Sequence, residues 1–293
     1  MIYKGIWVAS SHLTENIESI EKCCKNGAGG IVLKGTDGRM SQPCSRKCQQ
    51  CRLVSSFGGR KLFFDKRNIY SFTPNSPLCE FLSVEEVKNI LHFLRNNHPK
   101  VLRIANVSAK NPEDFIKTAN LLKEYGAQLL ELNSKYTVRY SDLKSDTAEE
   151  YLLNFIRKIK KAIKIPFILK ICPEFGLLDE RFFRDVSRCG VSGVTIANGI
   201  LVNLPPSFIK ELPSGIIKRT CSWVGDRLWE LVKEYVPIAK NYFNFVSASG
   251  GILDSKRAKE IVGLGADSVQ LCSGIEFSGY GLIDEIGKEL KNS

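Results

Sequence analysis

The chain has 293 residues, of which 43% are hydrophobic and 25% charged, a composition typical of globular proteins. It contains no stretch of about 18 apolar residues, and its first segment, MIYKGIWVAS, lacks the pattern of a secretion signal, so we expect a cytoplasmic protein without a membrane span. The formal net charge of +11 is spread along amphipathic segments without a compact arginine and aromatic cluster, which disfavours nucleic acid as a partner.

Eight short apolar segments alternate with longer segments of helical spacing. Helical spacing is clear over residues 84–95, where Ser83 and Glu86 predict a capping box at the start of the helix. Residues 114–125 and 148–163 show the same spacing. The eight segments predicted as strands are residues 6–10, 30–34, 101–106, 128–133, 166–171, 193–197, 243–248 and 268–271.

Eight strand-then-helix units predict an α/β fold, a parallel (β/α)8 TIM barrel, as one domain over residues 1–293. The alternative is an open doubly wound sheet, which normally has a glycine-rich loop after its first strand, where this chain has Ser10-Ser11-His12. Two connections are unusually long, residues 35–82 and 200–227, and such loops are usually lids or inserts. We interpret the first as a cysteine-rich insert.

Polar residues follow the predicted strands at the edge where TIM barrels place their chemistry. Backbone N–H groups at Gly250-Gly251 and Ser273-Gly274, after the last two strands, are suited to a phosphate group. Two lysines and three asparagines at the other strand ends suit a ligand with many acceptor atoms: Lys34, Asn106, Asn133, Lys170 and Asn198.

The motifs around these residues resemble the dihydroorotate dehydrogenase family over most of the chain. The stretch VSASGGILDSKRAKEIVGLGADSVQLCSGIEFSGYGLIDEI is similar to the C-terminal phosphate-binding segment of that family. Five further segments resemble its other strand ends, in the same order: GIWVASS, GAGGIVLKGT, YGAQLLELNSKYT, IPFILKICPEF and SGVTIANGI. The resemblance implies a TIM barrel that binds FMN and transfers hydride between flavin N5 and a small, dihydropyrimidine-like substrate.

The resemblance also implies roles for single residues. Lys170 would lie near the N1 and O2 edge of the flavin ring, where a cation stabilises the charge of reduced flavin. The substrate would be bound by Asn68, Asn133 and Asn198. The other implied FMN contacts are Ala9, Ser10, Lys34, Asn106, Asn133, Ser249, Gly250, Gly251, Cys272, Ser273 and Gly274.

The chain departs from the family where the catalytic base is expected. The family pattern is Asn-x-x-Cys/Ser-Pro-Asn, whereas Asn133 is followed here by SKYTV. Tyr136 occupies the base position, and it either transfers the proton or only lines the pocket. A phenol keeps its proton at neutral pH, so the first role needs a nearby cation, which Lys135 or Arg139 could supply. The substrate-binding positions match less well than the cofactor positions, so the substrate need not be dihydroorotate.

Cys44, Cys48 and Cys51 form a C-x3-C-x2-C pattern in the first long connection. Radical-SAM enzymes use this spacing for an iron–sulfur cluster, and three thiolates can also hold zinc with a fourth ligand. A surface loop with three thiols and no metal is the third interpretation. Because the motif follows the second predicted strand and not the first, a structural or electron-relay metal is favoured over radical-SAM chemistry.

Two alternatives from other classes stay open. A tRNA-dihydrouridine synthase-like enzyme has the same FMN barrel, and a charge of +11 suits RNA. Such enzymes carry a catalytic cysteine after the fourth strand and an added helical domain, and we expect neither here. A barrel that binds a ligand without catalysis would explain the altered base motif, but Lys34 and Lys170 argue against it. The resemblance implies a homodimer, which is common in the family, whereas the sequence does not predict the second electron acceptor.

Overall fold

The computed structural model describes residues 5–37, 61–65, 67–72, 81–140, 145–210 and 220–291. The strands within these ranges are β1 (Gly5–Val8), β2 (Gly30–Asp37), β3 (Lys61–Asp65), β4 (Asn68–Phe72), β5 (Leu102–Ser108), β6 (Leu129–Asn133), β7 (Phe167–Lys170), β8 (Val194–Ile196), β9 (Ile200–Asn203), β10 (Thr220–Gly225), β11 (Val246–Ser249) and β12 (Ser268–Leu271). The helices are α1 (Ile17–Lys25), α2 (Val84–Asn97), α3 (Pro112–Glu124), α4 (Ser134–Tyr140), α5 (Ser145–Ala162), α6 (Glu180–Arg188), α7 (Pro206–Ile209), α8 (Leu228–Lys240), α9 (Ser255–Gly263), α10 (Ser273–Ser278) and α11 (Gly281–Lys291).

Eight parallel strands form a closed barrel. They follow one another in the order β1, β2, β5, β6, β7, β8, β11 and β12, and β12 pairs back with β1. The predicted (β/α)8 barrel and its eight strands are therefore confirmed. The alternative of an open doubly wound sheet is wrong, because the barrel sheet has no edge strand. That the whole chain forms one domain stays a prediction.

The barrel interior is apolar at its lower end and polar at its upper end. Side chains along each strand alternate between the surrounding helices and the interior. The ring of Trp7 stacks on that of Phe245, with the centroids 5.3 Å apart. These two rings belong to a buried cluster of Trp7, Val32, Ile104, Leu129, Ile168 and Phe245. Two residues further along three of these strands stand Asn106, Glu131 and Lys170, which brings polar groups to the carboxyl end.

The two long connections meet in a second, four-stranded antiparallel sheet, in the order β3-β4-β10-β9. We call it the roof sheet. Its central pairing joins β4 to β10, with Asn68 opposite Gly225. Gly225 has a φ of 114°, and a Cβ there would lie 2.4 Å from the backbone oxygen of Arg67, so the tight turn requires glycine. The sequence predicted an insert here but did not predict this sheet.

The helices pack around the barrel, and α2 begins at the predicted capping box. The side chain of Ser83 accepts a hydrogen bond from the backbone N–H of Glu86, and the Glu86 carboxylate accepts one from the backbone N–H of Ser83. The helix continues two residues beyond the predicted end, to Asn97. Within the described ranges, none of the helices is long and apolar enough to cross a membrane.

Replacing Ser83 by Ala should lower the free energy of unfolding by about 1 kcal/mol, because the N–H of Glu86 loses its acceptor. Urea denaturation measures the change. Asn96→Ala, at an exposed position of the same helix, is the control and should stay within about 0.5 kcal/mol of the original protein. Equal losses in the two variants would contradict the capping role.

Candidate active site

A cavity of about 1120 Å³, open to solvent, lies at the carboxyl ends of the barrel strands. Ile69, Ser222 and Val224 of the roof sheet form part of its wall, as does Phe81. Most residues for which the sequence predicts a role also line it: Ala9, Ser10, Lys34, Asn106, Asn133, Tyr136, Lys170, Asn198, Ser249, Gly250, Gly251, Cys272 and Ser273. The structure brings these residues together, and their individual roles stay predictions.

Among the described residues, two with a predicted substrate or cofactor role do not line the cavity. Asn68 lies on β4, where its side-chain oxygen accepts a hydrogen bond from the backbone N–H of Arg227 at 3.3 Å. Its neighbour Ile69 lines the cavity instead, because adjacent side chains of a strand point to opposite faces. Gly274 follows Ser273 in α10, and a Cβ there would lie 2.7 Å from the backbone oxygen of Ile252.

Lys170 reaches the cavity from a polar network inside the barrel. Its Nζ lies 3.4 Å from Oε1 of Glu131 and 3.4 Å from Oε1 of Gln270. Glu131 is completely buried, and Lys170 is 4% exposed. The sequence analysis did not predict Glu131 or Gln270 as site residues, although period-two alternation places them on the interior face with Asn133 and Cys272.

Three asparagine side chains form a chain of hydrogen bonds along the rim. The amide of Asn133 donates to the side-chain oxygen of Asn106 at 3.3 Å, and that of Asn198 donates to Asn133 at 2.9 Å. The backbone N–H of Gly199 donates to Asn198 at 2.9 Å. Each amide therefore orients the next, and the row is fixed before any ligand enters.

Glycines at the ends of the last barrel strands bring backbone close to the cavity. Gly250 and Gly251 have φ values of 118° and 70°, which side chains rarely tolerate. A Cβ at Gly251 would lie 2.6 Å from the backbone nitrogen of Trp229. Next to them stands Ser273, at the start of α10. We call this part of the cavity wall the glycine cradle, and side chains at Gly250 and Gly251 would displace it from the start of α8.

Histidine also contributes to the cavity wall. His12 follows β1, lines the cavity, and its Nε2 contacts the carboxylate of Glu276 on α10. The ring and the carboxylate therefore connect the first strand-end loop to the helix beside the glycine cradle. The sequence offered no pattern that predicts this pair.

The segment that replaces the family's base motif folds as α4, directly after β6. The hydroxyl of Ser134 donates to the backbone oxygen of Lys170 at 2.7 Å. The ring of Tyr136 lines the cavity and packs edge-on against that of Phe81, with the centroids 5.2 Å apart. Tyr136 is therefore positioned at the cavity, as its place in the sequence predicts.

Lys135 is buried beside Tyr136 and paired with a carboxylate. Its Nζ lies 2.9 Å from Oε1 of Glu174 and donates to the backbone oxygen of Gly199 at 2.8 Å. The backbone N–H of Leu201 also donates to Glu174. The ammonium is thus held between the segments that follow β7 and β8 and the roof sheet, and its activation of Tyr136 stays a prediction. The side chain of Arg139 lies outside the described residues.

The cysteine pattern Cys44, Cys48 and Cys51 lies outside the described residues, so metal binding there stays a prediction. Within the described ranges, no group of three or more histidine, cysteine, aspartate or glutamate side chains could hold a metal ion. Burial raises the pKa of the Cys23 and Cys24 thiols on α1 to about 12, which keeps them protonated.

A closed parallel barrel with a polar cavity and a glycine cradle at its carboxyl end has the architecture of TIM-barrel enzymes that bind phosphorylated ligands. No family model matches the chain. The catalytic subunit of dihydroorotate dehydrogenase B (NAD(+)) from Methanocaldococcus jannaschii is 24% identical, over 97% of this chain and 88% of the relative. Subunit PreA of the NAD-dependent dihydropyrimidine dehydrogenase of Escherichia coli is 23% identical, over 97% of this chain and 69% of the relative.

These similarities span nearly the whole chain. Together with the eight-stranded barrel, they confirm the resemblance that the motifs indicate: the chain is a TIM barrel similar to the catalytic subunit of dihydroorotate dehydrogenase B. Both relatives are named as dehydrogenases, which supports an oxidoreductase.

Replacing Glu174 by Gln keeps the shape of the side chain but leaves the buried ammonium of Lys135 without a carboxylate of opposite charge. The free energy of unfolding should fall by about 3 kcal/mol, as is usual for a broken buried ion pair. Glu149→Gln is the matched control, because its pair with Arg181 is largely exposed and should contribute less than about 1 kcal/mol. Similar losses in both variants would show that burial of the first pair has no energetic consequence.

Proposed function

We propose that the protein is an FMN-dependent oxidoreductase that acts on a carbon–carbon bond of a small, dihydropyrimidine-like molecule. The observation that carries the proposal is that a buried lysine and a glycine cradle open into one cavity lined by both polar and apolar groups. The two relatives, named for dihydroorotate and dihydropyrimidine, support the same chemistry.

The residues of the cavity fit FMN. The cradle at Gly250 and Gly251, with the hydroxyl of Ser273, would hold the phosphate, because glycines there let the backbone line the cavity while it packs closely against Trp229. Lys170 would face the edge of the ring that gains charge on reduction, and Asn106 would donate or accept beside it. When bound, FMN would accept or donate hydride at N5.

The rim amides would bind the substrate. Asn133 and Asn198 present donors and acceptors already fixed by their mutual hydrogen bond, and Ser222 of the roof sheet adds a hydroxyl to the same cavity. Such a set complements the alternating N–H and C=O groups of a cyclic amide. Apolar side chains of Ile69 and Val224 complete the wall, which favours a small, flat substrate.

Tyr136 would move the proton that accompanies hydride transfer. It stands at the family's base position and lines the cavity. Its ring is held against Phe81, so the hydroxyl has a limited range of positions. The opposing interpretation, a tyrosine that only lines the pocket, predicts that removing its hydroxyl changes substrate binding more than rate.

A partner chain would exchange electrons with this barrel. Both relatives are named as subunits, and both names include NAD. We propose by analogy that a second chain connects the flavin to NAD, while the homodimer stays a prediction.

An absorption spectrum of the protein purified without oxygen tests the cofactor, with iron and zinc assayed on the same sample. Oxidised flavin bands on exposure to air, with FMN released on denaturation, are the expected result. Iron–sulfur absorbance without flavin would overturn the proposal and point to Cys44, Cys48 and Cys51. A colourless, metal-free protein that takes up no added FMN would reject the flavin function.

Gly251→Ala should weaken FMN binding by roughly tenfold or more, or about 1.4 kcal/mol, because the methyl group strains the backbone and collides with that of Trp229, which displaces the cradle. Quenching of flavin fluorescence measures the affinity. Gly263→Ala is the control, because no atom lies within 4 Å of the added carbon, and it should leave the affinity unchanged. An unchanged affinity in Gly251→Ala would place the phosphate elsewhere.

Tyr136→Phe should slow reduction of the bound flavin by at least about 100-fold, because the proton-transfer group is lost. Stopped-flow absorbance with dihydroorotate and 5,6-dihydrouracil as probes measures this rate. Phe81→Leu alters the packing around the same ring without removing an ionisable group, and should change the probe concentration at half-maximal rate more than the limiting rate. A limiting rate that survives in Tyr136→Phe would show that this tyrosine only lines the pocket.

A further inference from the structure

The buried carboxylate of Glu131 joins four strands of the barrel. Its Oε1 accepts from Asn106 at 2.8 Å and lies 3.4 Å from Nζ of Lys170. Its Oε2 accepts from Thr195 at 2.8 Å and from Gln270 at 2.9 Å. These four partners come from β5, β7, β8 and β12. One carboxylate therefore orients the side chains beneath the whole floor of the cavity.

The charge of Glu131 is as important as its hydrogen bonds. A completely buried carboxylate stays ionised only where a cation and hydrogen-bond donors replace water. Lys170 supplies the cation, and Asn106, Thr195 and Gln270 supply neutral donors. The lysine in turn has two acceptors in this network, Glu131 and Gln270, and an ammonium carries three N–H groups. Its third N–H remains for a ligand in the cavity.

We propose that Glu131 is a positioning residue that lowers the reduction potential of bound FMN by offsetting the charge of Lys170. The inference rests on the proposed function, because it concerns the same lysine. Lys170 alone would favour the anionic reduced flavin, whereas the paired lysine presents a weaker net charge. The pair therefore adjusts how strongly the barrel favours the reduced cofactor, without either carboxylate oxygen touching it.

The test is the midpoint potential of bound FMN in Glu131→Gln. The potential should become more positive by about 30 mV, a tenfold change in the ratio of reduced to oxidised flavin for a two-electron couple. Ser247→Ala is the control for structural damage. It removes the 2.8 Å hydrogen bond between Ser268 and Ser247 inside the same barrel, without changing a charge. This control should lose stability and keep its potential.

A second background shows whether Glu131 acts through the lysine. In Lys170→Met the ammonium whose charge Glu131 offsets is gone, so adding Glu131→Gln should shift the potential less than it does in the original protein. An equal shift in both backgrounds would contradict the proposal, as would no shift in the single variant. A shift as large in Ser247→Ala would show that the effect is structural.

Thermal unfolding keeps the inference testable if Glu131→Gln does not fold. The double variant Glu131→Gln with Lys170→Met removes both charges of this network and should unfold at a higher temperature than Lys170→Met. A lower midpoint temperature of unfolding, or a double variant that also fails to fold, would overturn the pairing.

The two proposals fail differently. An original protein that binds no FMN rejects the flavin function, whereas normal FMN binding with an unchanged potential in Glu131→Gln rejects only the role of Glu131.

Discussion

The closed barrel has no edge strand, so the charged groups that point inward depend on partners inside the barrel. Alternation along the strands places an apolar cluster around Trp7 and Phe245 at the lower end. The next inward positions are polar, and Glu131 receives hydrogen bonds from four strands. The cavity can hold a charged lysine at its floor because this buried layer beneath it balances charge and satisfies hydrogen bonds.

The same balance recurs outside the barrel wall. Lys135 is buried where the base segment of related enzymes would lie, and Glu174 compensates its charge. The pair joins α4, the turn after β7 and the roof sheet around one ammonium. Tyr136 is the next residue along α4, so its position depends on an ion pair that is not itself part of the cavity wall. In this chain, the segment at the position of the base motif is thus held by a buried ion pair.

Local patterns in the sequence were sufficient for the barrel and for the gathering of strand-end residues. Strand spacing and the capping box at Ser83 are short-range signals, and parallel strand ends meet at one edge in any such barrel. The resemblance placed Asn68 among the substrate-binding residues, whereas its neighbour Ile69 lines the cavity, because a segment without clear alternation does not show which side chains of a strand face inward. The partners of Lys135 and Glu131 lie far away in sequence, and no local pattern predicts which side chain a buried charge will meet.

The pairing of β4 with β10 has a consequence for how the molecule assembles. These strands come from the first and second halves of the chain, with Ser71 opposite Ser222, and four of the eight barrel strands lie between them. Bringing such distant segments together costs loop entropy unless the intervening chain is already compact. The barrel with its lysine and glycine cradle can therefore be complete while the roof is still unformed. During folding, the part of the cavity that the barrel forms could exist before the roof sheet adds its wall.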